Sequence, residues 1–403
     1  MIRYHASWVV PIASAPVRDA WVAVDRGRIV AVGRGARSLD GPPRHLGSVA
    51  ILPGLVNAHT HLELSYLRDR VPPAREFVSW IRNVVACRRQ QPDADAQEVI
   101  RGVEEGIAES VRSGTALVGD ISNTLVTFAP LAESPVGGVV FYELIRFNAP
   151  DPMGFVHAAW QELSQLPQTD RVRASLAAHA PYSVAPRVFE AIRQTVADVA
   201  LLPCSVHLSE SAEEVEFIRS GDGPWRTFLE DVGAWDDQWT PPGGSPVQFL
   251  DETGFLDERV LAVHGVQMTH GDLARLAARG ATLVTCPRSN GHTGAGAPPL
   301  ADFYASGVRV AVGTDSLASA PDLSIFAELA TMRALAPSVP ARQLLDSATR
   351  QGATALGFGA DYGTIESGKR ARLLAVTVPG GLDDVEEYLV SGIRPEDIAW
   401  LDA

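Results

Sequence analysis

Between about residue 50 and residue 315 the chain runs through eight short apolar stretches, most of them separated by helical patterns. They are Leu52–His59, Ala116–Ile121, Gly138–Ile145, Ala174–His179, Pro203–Leu208, Val260–His264, Ala281–Cys286 and Val308–Thr314. Eight such units in roughly 250 residues is the arithmetic of an α/β fold of the (β/α)8 TIM barrel type, whose parallel strands are buried on both faces. One intervening helix is expected from about Ala94 to Ser113. Val99, Val103, Ile107 and Val111 recur at four-residue spacing, Asp93 stands where a cap is needed, and Gly114 can end the helix.

Both ends of the chain read differently. Ala20–Val24 and Arg28–Val32 are short strands broken by Asp25-Arg26-Gly27, and Arg372–Val376 follows a turn at Ile365–Lys369. The expectation is one small β-sandwich-like domain built from residues 1–52 and 359–403, interrupted by a catalytic barrel over 53–358. The stretch from about Gly221 to Phe255 is longer than a barrel connection requires. It carries Trp225, Trp235 and Trp239 and the break Pro241-Pro242-Gly243-Gly244. It reads equally as a surface subdomain or subunit contact and as a lid or pocket wall.

Composition removes several classes of function. The chain has 403 residues, 46% of them hydrophobic, which is ordinary for a globular protein. A formal net charge of −14 disfavours nucleic acid and anionic membrane as partners. No basic segment with a long apolar run opens the chain, and no apolar run approaches the roughly 18 residues of a membrane span. Cys87, Cys204 and Cys286 are far apart, so a disulfide framework and a zinc ribbon are not expected and a cytoplasmic setting fits. The single lysine, Lys369, lies outside the expected barrel and no phosphate-binding Gly-Lys loop exists.

Polar residues stand at the C-terminal ends of the apolar runs. His59 and His61 are two apart, so both rings point to one side of an extended segment. His179, His207 and His264 end or nearly end three other runs, and Asp315 follows the last. In a barrel these ends converge at one mouth, the place of chemistry in such folds. A lone histidine at a strand end is as often a satisfied polar group, but here five of ten histidines lie there. Imidazoles with a carboxylate suit one divalent ion, Zn²⁺ or Fe²⁺.

The segments LPGLVNAHTHLELS, AAHAPYS, VHLSES, AVHG, CPRSN and VGTDS resemble, in this order, the metal-dependent amidohydrolase superfamily. The likeness is to its nucleobase and nucleoside deaminase (chlorohydrolase-like) branch and covers nearly the whole chain. The late GTIESGKRARLLAV resembles the closing β segment of that family, with Arg372 where Asp is usual. The resemblance implies that His59, His61, His207 and Asp315 hold one metal ion. It implies that Glu210 shuttles protons, that His264 holds the attacking water and that His179 faces the substrate. Deamination needs hydroxide at neutral pH and a proton for the ring, which a bound metal and a neighbouring glutamate provide. The other reading of Glu210 is a helix-start carboxylate. Two-metal relatives bridged by a carboxylated lysine are disfavoured, because the barrel region has no lysine. His61-Leu62-Glu63 imitates the His-x-Glu of cytidine deaminases, but no Cys-x-x-Cys accompanies it.

For substrate, S-adenosylhomocysteine deaminases typically carry a glutamate before a tryptophan downstream of the histidine pair, whereas Trp80 here follows Ser79. HTHLELS is similar to the subgroup that deaminates 6-aminodeoxyfutalosine, an adenine nucleoside of menaquinone biosynthesis with a carboxyphenyl extension. Glu63 is then a ribose or base contact, or a loop carboxylate bonded to backbone. Arg146 is the candidate for the substrate carboxylate, with Arg82 and Arg288 as alternatives. Ser289 and Asn290 would add polar contacts near the metal or cap a loop. Deamination or dechlorination of a related ring (adenosine, methylthioadenosine, S-adenosylhomocysteine, guanine, a triazine) stays open, as does a homodimer. A catalytically silent binding scaffold is the alternative of another class, and the intact ligand set argues against it.

Overall fold

The computed structural model describes residues 1–35, 43–197, 199 and 202–401. Two sheets organise it. The first takes β1 (Ile2–Val9), β2 (Val17–Asp25), β3 (Arg28–Arg34), β4 (Pro43–His45) and β5 (Val49–Pro53) from the start of the chain. The second is formed by β6 (Leu55–Thr60), β7 (Thr115–Ser122), β8 (Gly137–Leu144), β9 (Val172–Ala178), β10 (Cys204–Leu208), β11 (Val260–His264), β12 (Thr282–Thr285) and β13 (Arg309–Val312). β14 (Leu373–Thr377) and β15 (Ile398–Trp400) return to the first sheet, where β14 pairs antiparallel with β5. β1 pairs along one edge with β2 and along the other with β4 and then β5, so this sheet forks. Tyr4, Val22, Ile29, Ile51 and Leu373 share its core.

The eight strands β6 to β13 are parallel and lie side by side in chain order. The ring closes between β13 and β6: Thr60 bridges to Asp315, and the amides of Thr314 and Asp315 both reach the carbonyl of His59 at 3.1 Å. Gly313 permits this approach, since a Cβ there would stand 2.7 Å from that carbonyl oxygen. β6 and β7 are buried at every position, the cause of their unbroken apolar character. Val56, Leu117, Val139, Phe141, Ala177, Val263, Val284 and Ala311 fill the interior, so the barrel is a packed core with its chemistry at the rim.

Helices cover the outside. The one expected near Ala94–Ser113 is α1, Gln97–Arg112, with Val99, Val103 and Ile107 buried. Asp93 does not cap it: Ala96 occupies the cap position, and the Asp93 carboxylate takes the amide of Asp95 at 3.0 Å, too early in the chain to reach the first turn. Gly114, at φ +86°, does follow its end. The segment after β10 folds into three helices, Ala212–Ser220, Pro224–Asp231 and Pro246–Glu252, before β11 begins. Cys87, Cys204 and Cys286 are free thiols. Among the described residues no helix is long and apolar enough to cross a membrane.

Candidate active site

Barrel closure brings five side chains from strand ends together. The His61 Nε2 lies 3.6 Å, and the His59 Nε2 4.0 Å, from Oδ1 of Asp315. The ring centres of His59 are 4.9 Å from His61, 5.0 Å from His207 and 5.6 Å from His264. The ligand-capable atoms of His59, His61 and Asp315 lie within 4.8 Å of one another, and so do those of His59, His207 and His264. Both ring nitrogens of His59 are fully buried without a hydrogen-bond partner among the described residues. An imidazole left in that state is costly unless a cation satisfies it. The donor set of imidazoles and one carboxylate therefore fits a divalent ion.

Neighbours orient these groups. The Nδ1 of His207 is 2.8 Å from the carbonyl of His179; a carbonyl only accepts, so Nδ1 carries the hydrogen and Nε2 the lone pair. The Nδ1 of His264 meets Oδ1 of Asn290 at 2.8 Å. Ser289 donates to Oδ2 of Asp315 at 2.5 Å, leaving Oδ1 toward the histidines. Ser209, His264 and Asp315 all adopt positive φ (52°, 77° and 60°), a conformation such residues hold only where the surroundings impose it. Glu214 imposes it on one loop by accepting the amides of Ser209 at 2.9 Å and Glu210 at 2.8 Å.

Burial controls the ionisation here. It pushes His179 and His207 down to about 4. Burial first, then mutual repulsion, holds His59 and His61 well below the ordinary histidine range. Neutral imidazole is the form that offers a lone pair to a metal. Glu210 is displaced the other way: burial, then the carboxylates of Asp315 and Glu214, hold its carboxyl well above the usual range. Its Oε1 lies 3.5 Å from Nε2 of His264. A carboxyl that keeps its proton beside an imidazole can act as a general acid.

A cavity of about 560 Å³ opens over this cluster. His61, His179, His207, Glu210, His264 and Asp315 line its floor. Its wall comes in part from the tryptophan-bearing segment: Trp225 is buried and stacks on Tyr182 at 3.7 Å between ring centres, and Phe228 and Leu229 stand beside it. Of the two readings of that segment, the pocket wall matches this placement. Trp235 and Trp239 pack against Phe147 and Phe217.

Three expectations for substrate contacts need revision. Glu63 does not line the cavity. One of its oxygens accepts from Arg88 at 2.7 Å, and the other takes the Ser122 and Thr124 hydroxyls and the amides of Asn123 and Thr124. It is the loop carboxylate of the second reading, saturated by its own chain. Ser289 stands behind Asp315, off the cavity, its hydroxyl bound to Asp315 and Ser319. Arg288 is half-buried and bound to Asp322 and Glu328, while Arg82 is paired with Asp231. Arg146 does line the cavity, rests over Phe155, and has no carboxylate within ion-pair distance among the described residues. Sequence reading missed Arg88, Asn123 and Glu143, all on the cavity wall. The signal for Glu143 was available: on β8 it shares the inward register of Val139 and Phe141.

Comparison with known proteins agrees with this site. The profile of the Amidohydrolase family matches residues 50–392. An aminodeoxyfutalosine deaminase from Deinococcus radiodurans is 34% identical over 328 residues, 76% of this chain and 73% of that protein. The crystal structure of Helicobacter pylori aminofutalosine deaminase in complex with methylthio-coformycin superposes with a TM-score of 0.85 at 27% identity, covering 97% of this chain and 95% of that one. An adenosine deaminase from Xanthomonas campestris with bound zinc gives a TM-score of 0.83 at 28% identity, covering 98% and 90%. With five polar side chains from strand ends gathered at one rim of a closed eight-stranded barrel, and a profile match over most of its length, this chain belongs to the amidohydrolase family.

Proposed function

We propose that the protein is an aminohydrolase that replaces the 6-amino group of an adenine-type nucleoside by oxygen, with 6-aminodeoxyfutalosine as substrate. The observation that carries this reading is the buried carboxyl of Glu210, placed 3.5 Å from His264 Nε2 at the floor of a cavity walled by aromatic rings. The named activities of the Deinococcus radiodurans and Helicobacter pylori relatives support it. His59, His61, His207 and Asp315 would hold one divalent ion, for which the zinc-bound Xanthomonas campestris relative favours Zn²⁺ over Fe²⁺. When bound, the ion supplies Lewis acidity that brings the pKa of water to about 7.

The chain's own residues do the rest. Glu210 delivers a proton to the ring nitrogen beside the carbon under attack and then moves a proton to the departing amino group, so water is consumed and ammonia leaves. His264 and Asp315 accept hydrogen bonds from the attacking water and hold it in place. His179, its Nδ1 engaged by Ser183 at 2.5 Å, presents the ring's other edge to the base. Tyr182 and Trp225 give the flat base an aromatic face. Arg146, at the cavity wall and without a carboxylate in ion-pair distance among the described residues, meets the carboxylate of the substrate's phenyl extension.

The test is a kinetic comparison of 6-aminodeoxyfutalosine with S-adenosylhomocysteine and adenosine, followed by the ultraviolet shift from adenine to hypoxanthine. The expected order puts 6-aminodeoxyfutalosine first in kcat/KM. A preference for adenosine would move the assignment to the adenosine deaminases, and no turnover of any of the three by metal-replete enzyme would sink it.

A further inference from the structure

We propose that Glu143, steadied by Asn123, receives the ribose hydroxyls of the substrate, an inference that rests on the nucleoside deaminase reading above. β8 points Val139 and Phe141 into the barrel, and the same alternation sends Glu143 into the mouth. There it is 6% exposed and lines the cavity beside His179 and His207. Its Oε2 accepts from Nδ2 of Asn123 at 2.7 Å. Its Oε1 is buried and has no hydrogen-bond partner among the described residues. The nearest basic atom, Nδ1 of His207, is 3.6 Å away and already donates to the His179 carbonyl. A buried carboxylate oxygen in that condition costs free energy until a donor arrives from outside the chain.

A chain of side chains fixes this oxygen. Arg88 donates to Oε1 of Glu63 at 2.7 Å and to Oδ1 of Asn123 at 2.6 Å. Asn123 must therefore turn its NH₂ group to Glu143, and Oε1 is the carboxylate oxygen left without a donor among the described residues. Glu63 thus acts on the ligand through Arg88, Asn123 and Glu143, as a positioning residue. The place around the barrel identifies the donor. Glu210 and Asp315 follow β10 and β13 and His264 ends β11, whereas Glu143 sits on β8, two strands round the ring from β10 and three from β11 and β13. In a 6-aminopurine nucleoside the sugar leaves the ring system from the end remote from the 6-amino group. With the amino group over Glu210, the sugar is carried toward β8, and its neighbouring hydroxyls are neutral donors suited to one carboxylate oxygen.

The experiment compares adenosine with 2′-deoxyadenosine and 3′-deoxyadenosine, as substrates or, where turnover is slow, as competitive inhibitors. Wild-type and Glu143→Gln enzymes are used, with bound metal measured in each. In the wild type, removal of at least one hydroxyl should weaken KM or Ki tenfold or more. The variant should lose a similar factor with adenosine, lose little further with the matching deoxynucleoside, and keep its metal. Equal behaviour of all three nucleosides in the wild type overturns the ribose assignment and leaves the deaminase reading standing. A variant that loses metal and is impaired equally with all three shows that Glu143 holds His207 instead. Neither turnover nor inhibition by any of them, or by 6-aminodeoxyfutalosine, overturns both readings.

Discussion

Replacing Glu210 by glutamine separates proton transfer from every other property of the site. The two side chains have nearly the same shape, so the buried volume and the approach to His264, 3.5 Å in the native enzyme, are preserved. What is lost is a carboxyl that burial and the nearby Asp315 and Glu214 hold in its protonated form more readily than an ordinary glutamate. General acid–base catalysis by one positioned group typically contributes 10²–10⁴-fold, so kcat should fall by roughly that factor, or about 3–5 kcal/mol of barrier. KM should change little. The clustered donor atoms belong to His59, His61, His207, His264 and Asp315, with a further group at Glu143, His179 and His207, and Glu210 is in none of these groups, so bound metal should stay stoichiometric. Steady-state loss of the adenine absorbance, coupled ammonia detection and elemental analysis of one preparation give all three quantities. A Glu210→Gln enzyme that releases ammonia at the native rate refutes the proton-transfer role. One that loses its metal moves Glu210 into the ligand set.

His59→Ala should lose both bound metal and activity, because it removes the most enclosed imidazole of the cluster; elemental analysis showing full occupancy with turnover intact would contradict the ligand assignment. Arg146→Ala should raise KM for 6-aminodeoxyfutalosine by about tenfold or more, the worth of one charge-assisted contact, and leave adenosine unaffected; equal effects on the two would deny the carboxylate contact. Asp120 and Glu214 are fully buried and each pushed up to about 7 by burial. Raised carboxyl values mean the folded state holds protons that the unfolded chain releases, so this contribution is complete at low pH and is lost as pH rises through about 7. The histidines held below their ordinary range contribute with the opposite sign, so the carboxyl is isolated by comparison: the melting temperature of the native protein should fall relative to that of Asp120→Asn as pH rises toward about 7, and a native protein that gains on the variant there reverses the sign and removes the argument.

Much of the barrel was open to reading because a strand buried on both faces must be apolar throughout. Val260–His264 matches its apolar run residue for residue, and the other runs differ only at their ends. The rim residues were legible for a related reason. A charged or imidazole group directly after an apolar run has only the strand's end to occupy, and parallel strands share one end. Legibility stopped where partners come from remote elements. Glu63 sits two residues from His61, yet its bonds go to Arg88 on one helix and to the loop after β7, which local spacing does not reveal. Arg88, Arg82 and Arg146 are alike in sequence, and only the fold distinguishes the paired from the unpaired. Glu143 follows from the two-residue alternation of β8, which carries Val139 and Phe141 inward ahead of it. Asp93 is the opposite case: a sound cap type, placed too far ahead of the first turn.

The seam between the first and last barrel strands has a kinetic corollary. Thr60 and Asp315 lie 255 residues apart and share a hydrogen bond at that junction. Every other neighbouring pair in the ring can form while the chain is still incomplete, but this one waits for the whole circuit. The carboxylate thus joins the imidazoles in the last step of ring assembly, the kind that pays its loop-closure entropy before any reward. During refolding, helical signal should return first and catalytic competence only when the circle shuts, so recovery of turnover serves as a clock for that final docking.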